Sequence, residues 1–170
     1  MPRTEAIEIE LPSGLIVAWH QASPQAPGEE PDAHWGLRDG VDWDAFESLQ
    51  VISGAFGQDA VLVASLHPRR SPGHDADVIG AVRVRGGDDP GTEQADETLL
   101  SLEYDGAGEL RRVGIELWMA EGPPLRVAAD RSGARATHDE GDGSLRESTP
   151  LAVRSEGQSG AGRHDLVRRG

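Results

Sequence analysis

The chain opens on an alternation. Ile7, Ile9 and Leu11 fall on one face of an extended segment, with Glu8 and Glu10 on the other. After Pro12-Ser13-Gly14 the alternation resumes, with Leu15, Val17 and Trp19 opposed to Ile16, Ala18 and His20. A period of two on either side of a Pro/Gly turn predicts a β-hairpin. Residues 22–33 hold three prolines and a cluster of acids and read as a long loop. Residues 35–56 mix two periods: Asp42 is placed to cap a short helix through Trp43, Phe46 and Leu49, while Leu49 and Val51 also suit a strand. The reading is a short helix or turn running into a strand that ends near Phe56.

Gly57, Gln58 and Asp59 then turn the chain into Ala60 to His67, an apolar run, and Pro68 to Asp77 form another loop. Val78 to Arg85 alternates again, and residues 86–97 read as an acidic, Gly-rich connection. The clearest signal follows. Leu99 to Tyr104 and Leu110 to Met119 flank Asp105-Gly106-Ala107-Gly108-Glu109, with Leu100, Leu102 and Tyr104 on one face and Val113, Ile115, Leu117 and Met119 on another. Asp-Gly between alternating runs marks a hairpin, because Gly accepts the positive φ that such turns require. Pro123 and Pro124 punctuate, and Leu125 to Ala129 supplies one more strand. Six to eight short strands without helical crossovers predict an all-β antiparallel meander, closed as a small barrel or folded as a sandwich.

After Asp130 the pattern stops. Residues 131–170 lack sustained apolar periodicity and are rich in Gly, Ser and Arg. Such a segment is expected to bury too little apolar surface to offset its ordering entropy. The organisation predicted is a β domain over residues 1–130 and a disordered tail over 131–170.

Composition changes this picture in three places. There is no Cys, which removes disulfides, thiolate metal sites and cysteine nucleophiles. There is also no Lys and no Asn, so Arg carries every fixed side-chain cation, a pattern that codon usage in a GC-rich genome explains. The net charge is −14 and sits in residues 1–130, which hold 9 Arg against 24 acids. A surface of that sign repels phosphate backbones and anionic lipid, so neither nucleic acid nor a membrane is expected as partner. The polar, acidic Met1 to Glu10 lacks the form of a signal peptide, which makes the cytoplasm the expected compartment.

Candidate chemistry is sparse. His20 and His34 bracket the proline-rich loop, with Trp19 and Trp35 beside them, and a folded-back loop would bring two imidazoles and two indoles to a barrel mouth. The plainer reading makes the two Trp core residues. Glu116 lies mid-strand opposite Val113, Ile115 and Leu117; it either pairs across strands with Arg83 or Arg126 or, if its face lines a lumen, joins Arg112 as a ligand contact. Asp42, Asp44 and Glu116 are the carboxylates considered for acid–base work. His67, His74, Asp75 and Asp77 surround one loop; their spacing is neither i,i+4 nor i,i+2, so a solvated loop is preferred and no metal is assigned. Asp139 to Ser144 lacks the terminal Glu of a calcium loop. No nucleophile elbow, P-loop or dinucleotide fingerprint is present, and no cofactor is expected.

The stretch LLSLEYDGAGELRRVGIELWMAEGPPLRVAAD, residues 99–130, is similar to the closing strands of lipocalin-like β proteins of the hydroxyneurosporene-synthase type. That resemblance implies a barrel or half-barrel and transfers no active-site residue.

Three functional expectations follow. The first is non-catalytic binding of a small apolar molecule or a protein partner, with Trp19, His20, His34, Trp35, Arg112 and Glu116 as ligand contacts. The second is a hydratase, isomerase or lyase acting on an apolar substrate in a barrel lumen through His20, His34 and Glu116. The third is an interaction protein whose tail folds on a partner. Open sheet edges also allow a homodimer.

Overall fold

The computed structural model describes residues 6–21 and 33–169. Their regular structure is entirely β, in thirteen strands. β1 (Ala6–Glu10), β2 (Ile16–Gln21) and β3 (Ala33–Leu37) form a small antiparallel sheet in that order. The rest form one large antiparallel sheet: β4 (Phe46–Phe56), β5 (Asp59–Pro68), β6 (Val78–Arg85), β7 (Gly91–Gln94), β8 (Glu97–Tyr104), β9 (Leu110–Trp118), β10 (Leu125–Arg131), β11 (Ala136–Asp139), β12 (Ser144–Ser155) and β13 (Gln158–Arg169). Their spatial order is β7-β6-β5-β4-β13-β12-β10-β9-β8, with β11 paired to β12.

The two ends of this order are adjacent in sequence, and the large sheet curls to bring them together. In the link from β7 to β8, Ala95 N donates to Ala81 O of β6 at 3.0 Å and Asp96 N donates to Trp118 O of β9 at 2.8 Å. The result is a half-barrel with a concave interior, and the small sheet lies against its outside.

This arrangement buries β4 and β5 on both faces. Leu49, Val51, Leu62, Ala64 and Leu66 pack outward against Ile9, Leu11, Val17 and Trp19 of the small sheet. Ile52, Phe56, Val61 and Val63 pack inward against Val113, Ile115, Leu117, Val127, Leu151 and Val153. A strand buried on both faces shows no polar alternation, which is why the middle of β5 reads as an unbroken apolar run.

The turns follow local chemistry. Gly57 and Gln58 close the two-residue loop between β4 and β5, with Gly57 at φ 59°. In the β8–β9 loop Gly108 takes φ 80°, and the Asp105 carboxylate accepts from Ala107 N at 2.9 Å and Glu109 N at 3.0 Å. Asp42 begins a turn, not a helix, that runs into β4.

Three expectations are corrected. The strand number exceeds six to eight, in part because the acidic connection over 86–97 contains β7. Part of the loop over 22–33 lies outside the described residues, and residue 33 already begins β3. The largest correction concerns residues 131–170. They carry β11, β12 and β13, and β13 fills the centre of the large sheet between β4 and β12. Their glycines serve close packing. A Cβ on Gly160 would fall 1.9 Å from Ala55 O, and one on Gly162 would fall 2.2 Å from Ser53 O. Pro150 sits where β12 changes partner from β11 to β10. Its carbonyl faces that side, accepting from Ser132 N at 2.9 Å, so its missing N–H falls in the gap between partners.

Candidate functional site

Registered strands place alternate residues on one face, so the inner surface of the half-barrel can be read strand by strand. On β5 the inward positions are Val61, Val63, Ser65 and His67; on β4 they are Phe56, Gly54, Ile52, Gln50 and Ser48. On β13 they are Gly162, His164, Leu166 and Arg168, paired with Leu151, Thr149, Glu147 and Leu145 of β12. Each strand is mainly apolar toward one end of the interior and polar toward the other. The apolar end is filled by side chains. The polar end opens at a cavity of about 400 Å³ lined by Glu47, Ser48, Gln50, His67, Arg69, His74, Tyr104, Leu166, Arg168 and Arg169.

Among the described residues three arginines and one glutamate line this mouth, in a chain with nearly twice as many acids as cations; Arg168 points inward, whereas the Arg169 guanidinium turns away to lie against Gly143 of the β11–β12 turn. Arg168 is held by Glu147 at 2.6 Å, and Arg69 Nε donates to Trp43 O at 2.5 Å. Partial burial raises the phenol of the half-exposed Tyr104 above its usual range, which keeps it a neutral hydroxyl. Behind the rim, His164 and Gln50 are buried, and His164 Nε2 lies 2.8 Å from Gln50 Oε1. Burial pushes the His164 pKa down to about 4 against the opposing pull of Asp165 and Glu147, so the ring is neutral and its Nε2–H donates to the amide oxygen.

At one side of the mouth two imidazoles share a carboxylate. His67 Nδ1 lies 2.6 Å from Asp77 Oδ1, and His74 Nδ1 lies 2.8 Å from Asp77 Oδ2. The other ring nitrogen of His67 lies 3.1 Å from Glu47 Oε1. The β5–β6 register ends at Leu66 opposite Val78, which sets His67 across from Asp77. A turn closed by Asp77 N donating to His74 O at 3.1 Å brings in the second imidazole. Strand register and turn thus supply the arrangement that spacing along the loop does not convey. Asp75 is exposed.

The residues singled out from sequence lie elsewhere. Trp19 and Trp35 are register partners in β2 and β3, as are His20 and His34. Trp19 is fully buried in the core between the small sheet and the half-barrel. Trp35 packs against that core, donates from Nε1 to the buried Asp165 carboxylate at 2.6 Å, and carries the Arg146 guanidinium 4.2 Å from its ring centroid. It joins the two sheets. The side chains of His20 and His34 lie outside the described residues.

Glu116 and Arg112 lie on the outer face of β9, opposite the inward Val113, Ile115 and Leu117. Glu116 pairs with Arg126 at 3.4 Å, whereas Arg83 pairs with Asp59. Arg112 donates to Asp130 at 3.0 Å; Arg112 and Arg154 together hold that carboxyl below its ordinary range. Glu116 and Arg126 edge an outer dent of about 320 Å³ with Leu99 and Gly114. Asp42 and Asp44 are exposed in the turn before β4, joined by Asp44 N donating to Asp42 Oδ1 at 3.2 Å. In the β11–β12 turn, Asp139 and Asp142 accept from Gly141 N and Ser144 N, which accounts for their spacing.

A wider groove of about 680 Å³ runs between the β1–β2 hairpin and β6, lined by Glu8, Glu10, Pro12 and Asp96 among others and, among the described residues, by no cationic side chain. It lacks the convergence of donors found at the mouth. Among the described residues no helix is long and apolar enough to cross a membrane. No known protein family, curated protein or solved structure matches the chain.

Proposed function

We propose that this chain is a binding domain that holds a small oxyanion, a carboxylate or phosphate, in the polar mouth of the half-barrel. The observation that carries this reading is the gathering of Arg69 and Arg168 with His67 and His74 around one cavity of an otherwise acidic protein. Guanidinium groups suit planar, multidentate oxyanions, and charge-assisted bonds are the strong ones. A site at the barrel mouth, expected from the Trp19, His20, His34 and Trp35 pattern, is kept with other residues, and an anionic ligand replaces the apolar one, since packed side chains fill the apolar end.

The test is titration of the chelator-treated protein with inorganic phosphate and with succinate, followed by calorimetry and amide NMR shifts. Saturable binding is expected, with shifts centred on Ser48, Gln50 and Leu166. Arg168→Gln and Arg69→Gln should each weaken it about tenfold, the loss of one charge-assisted contact. Equal response in wild type and both variants counts against the reading.

A second reading, association of two copies through the outer face of β8 and β9, is favoured by Leu99 and Trp118, which are 50% and 42% exposed on that face. Native mass spectrometry separates the two: a dimer abolished by Leu99→Gln with Trp118→Gln supports association, and a monomer at all concentrations removes it.

A further inference from the structure

We propose that His67, His74 and Asp77 form a binding site for one divalent first-row transition metal ion, with an open coordination position facing the mouth cavity. The inference rests on the reading of the mouth as the binding site and adds the cation that would take part in it.

Three observations carry it. The first is the donor set. One ligand atom from each of the three residues lies within 4.8 Å of the others, and imidazole with carboxylate is the donor chemistry of zinc and its first-row neighbours. Tetrahedral donors around bonds of ~2.1 Å stand about 3.4 Å apart, so the site needs only side-chain rotation to close. Two of its gaps are now hydrogen bonds of 2.6 and 2.8 Å. A metal would replace the two bridging protons at Nδ1, each ring ligating in its neutral form with one proton kept on Nε2 and any second proton leaving to solvent.

The second is the support behind the donors. With His67 Nδ1 on the metal, its Nε2–H points at Glu47 Oε1, 3.1 Å away. A ligating histidine that donates its other N–H to a carboxylate is the usual outer arrangement of protein metal sites; it fixes the tautomer and makes the ring more basic. Asp77 and Glu47 also flank the His67 ring with negative charge on both sides, which favours a cation between Asp77 and the rings. The third is location. His67 and His74 both line the cavity, so the position left by three protein ligands opens toward it. Three protein ligands plus an open site is the pattern of metals that bind or activate a ligand; closed structural sites use four. The guanidinium groups across the cavity would hold the far end of an anion whose near end meets the metal.

The test uses the full chain, stripped with a chelator and titrated with Zn²⁺ alone, and with Co²⁺ to read coordination from its visible spectrum. One ion per chain and a four-coordinate Co²⁺ spectrum are expected. His74→Ala, at an exposed position, should lose at least the ~100-fold in affinity at the upper end of outer-shell effects, and Glu47→Gln about 10-fold. His138→Ala, at an exposed histidine of β11, should bind as wild type. The inference is overturned if no saturable binding occurs, or if His74→Ala binds Zn²⁺ as tightly as wild type. Phosphate and succinate binding by the stripped protein is read separately. If it persists where Zn²⁺ fails, the metal site falls and the anion site stands; if Zn²⁺ binds and the anions do not, the reverse holds.

Discussion

The two ends of the half-barrel interior are built by the same strands and do opposite things. At one end Phe56, Ile52, Val61 and Val63 interlock with Ile115, Val127, Leu151 and Val153. At the other, the same strands continue inward with Ser48, Gln50, Ser65, His67 and His164, and the space between them opens to solvent. The same strand pairs run through both, and the ladders slip at the polar rim, beside Glu47 in β4 and Tyr104 in β8, so the difference lies in side chains and in these two irregularities of register. The apolar end supplies burial energy, and the polar end can then depart from efficient packing. Charged and polar groups at the rim would cost stability if they had to hold the fold; here the core next to them does so.

The comparison breaks most severely if its shared strands are removed. Deletion of residues 131–170 takes away β12 and β13, the pair that joins β4 to β10. We expect the shortened chain to lose the cooperative thermal transition and the dispersed amide NMR spectrum of the full chain. A truncated protein that kept both would restore the disordered-tail reading. Next in size is the apolar end itself. Phe56→Ala should cost about 3–5 kcal/mol in denaturant unfolding, the usual range for emptying a buried aromatic site. A loss below 1 kcal/mol would mean that this end is not the closed core described.

How far the sequence showed this difference depends on the strand. The β8–β9 hairpin is legible because Asp105 and the following glycines form a local turn signal flanked by clean alternation. β5 is legible as a strand, and its change from Val61 and Val63 to Ser65 and His67 is visible once the inward face is known. β12 and β13 were not legible. Gly160 and Gly162 look like disorder in composition, yet they are demanded by a close approach to Ala55 and Ser53 of β4, more than a hundred residues away in the chain. With those strands unread, His164 could not be set beside Gln50, nor Arg168 placed at the rim. The pairing of Trp19 with Trp35 was suggested by their flanking of one loop. Their burial is set by the half-barrel beneath them, which no local pattern reports. His67 and Asp77 meet through β5–β6 register, a property of the hairpin that residue spacing in its loop does not reveal.

The polar end also carries a pH dependence. The His164 pKa is near 4 in the folded chain because burial disfavours the charged ring, against 6.5 ordinarily. Between those values the unfolded chain binds a proton that the folded one refuses. Stability therefore rises with pH across that window and falls on acidification from 6.5 toward 4, by on the order of 3 kcal/mol in all. Denaturant unfolding of wild type and His164→Gln at pH 7 and pH 4.5 should show a smaller acid loss in the variant. Equal losses would mean that His164 titrates as an exposed histidine does and that the polar end is wet to its base.

The smallest effect probes where that boundary lies. Ser65 is 1% exposed, two residues beyond Val63 on the inner face, and its hydroxyl has no hydrogen-bond partner among the described residues. A buried unpaired hydroxyl gives up its water on folding and receives nothing in return, so Ser65→Ala should leave stability unchanged or raise it by about 1 kcal/mol. Ser144 is its counterpart at a turn, equally buried, with its hydroxyl and amide both engaged by Asp142. Ser144→Ala should lower stability by about 1 kcal/mol through loss of that bond. The contrast is read in paired denaturation curves. A Ser65→Ala loss as large as that of Ser144→Ala would show that the Ser65 hydroxyl is served by water drawn down from the mouth. The polar end would then extend one layer deeper, to the edge of Val63, and the dry core would begin there.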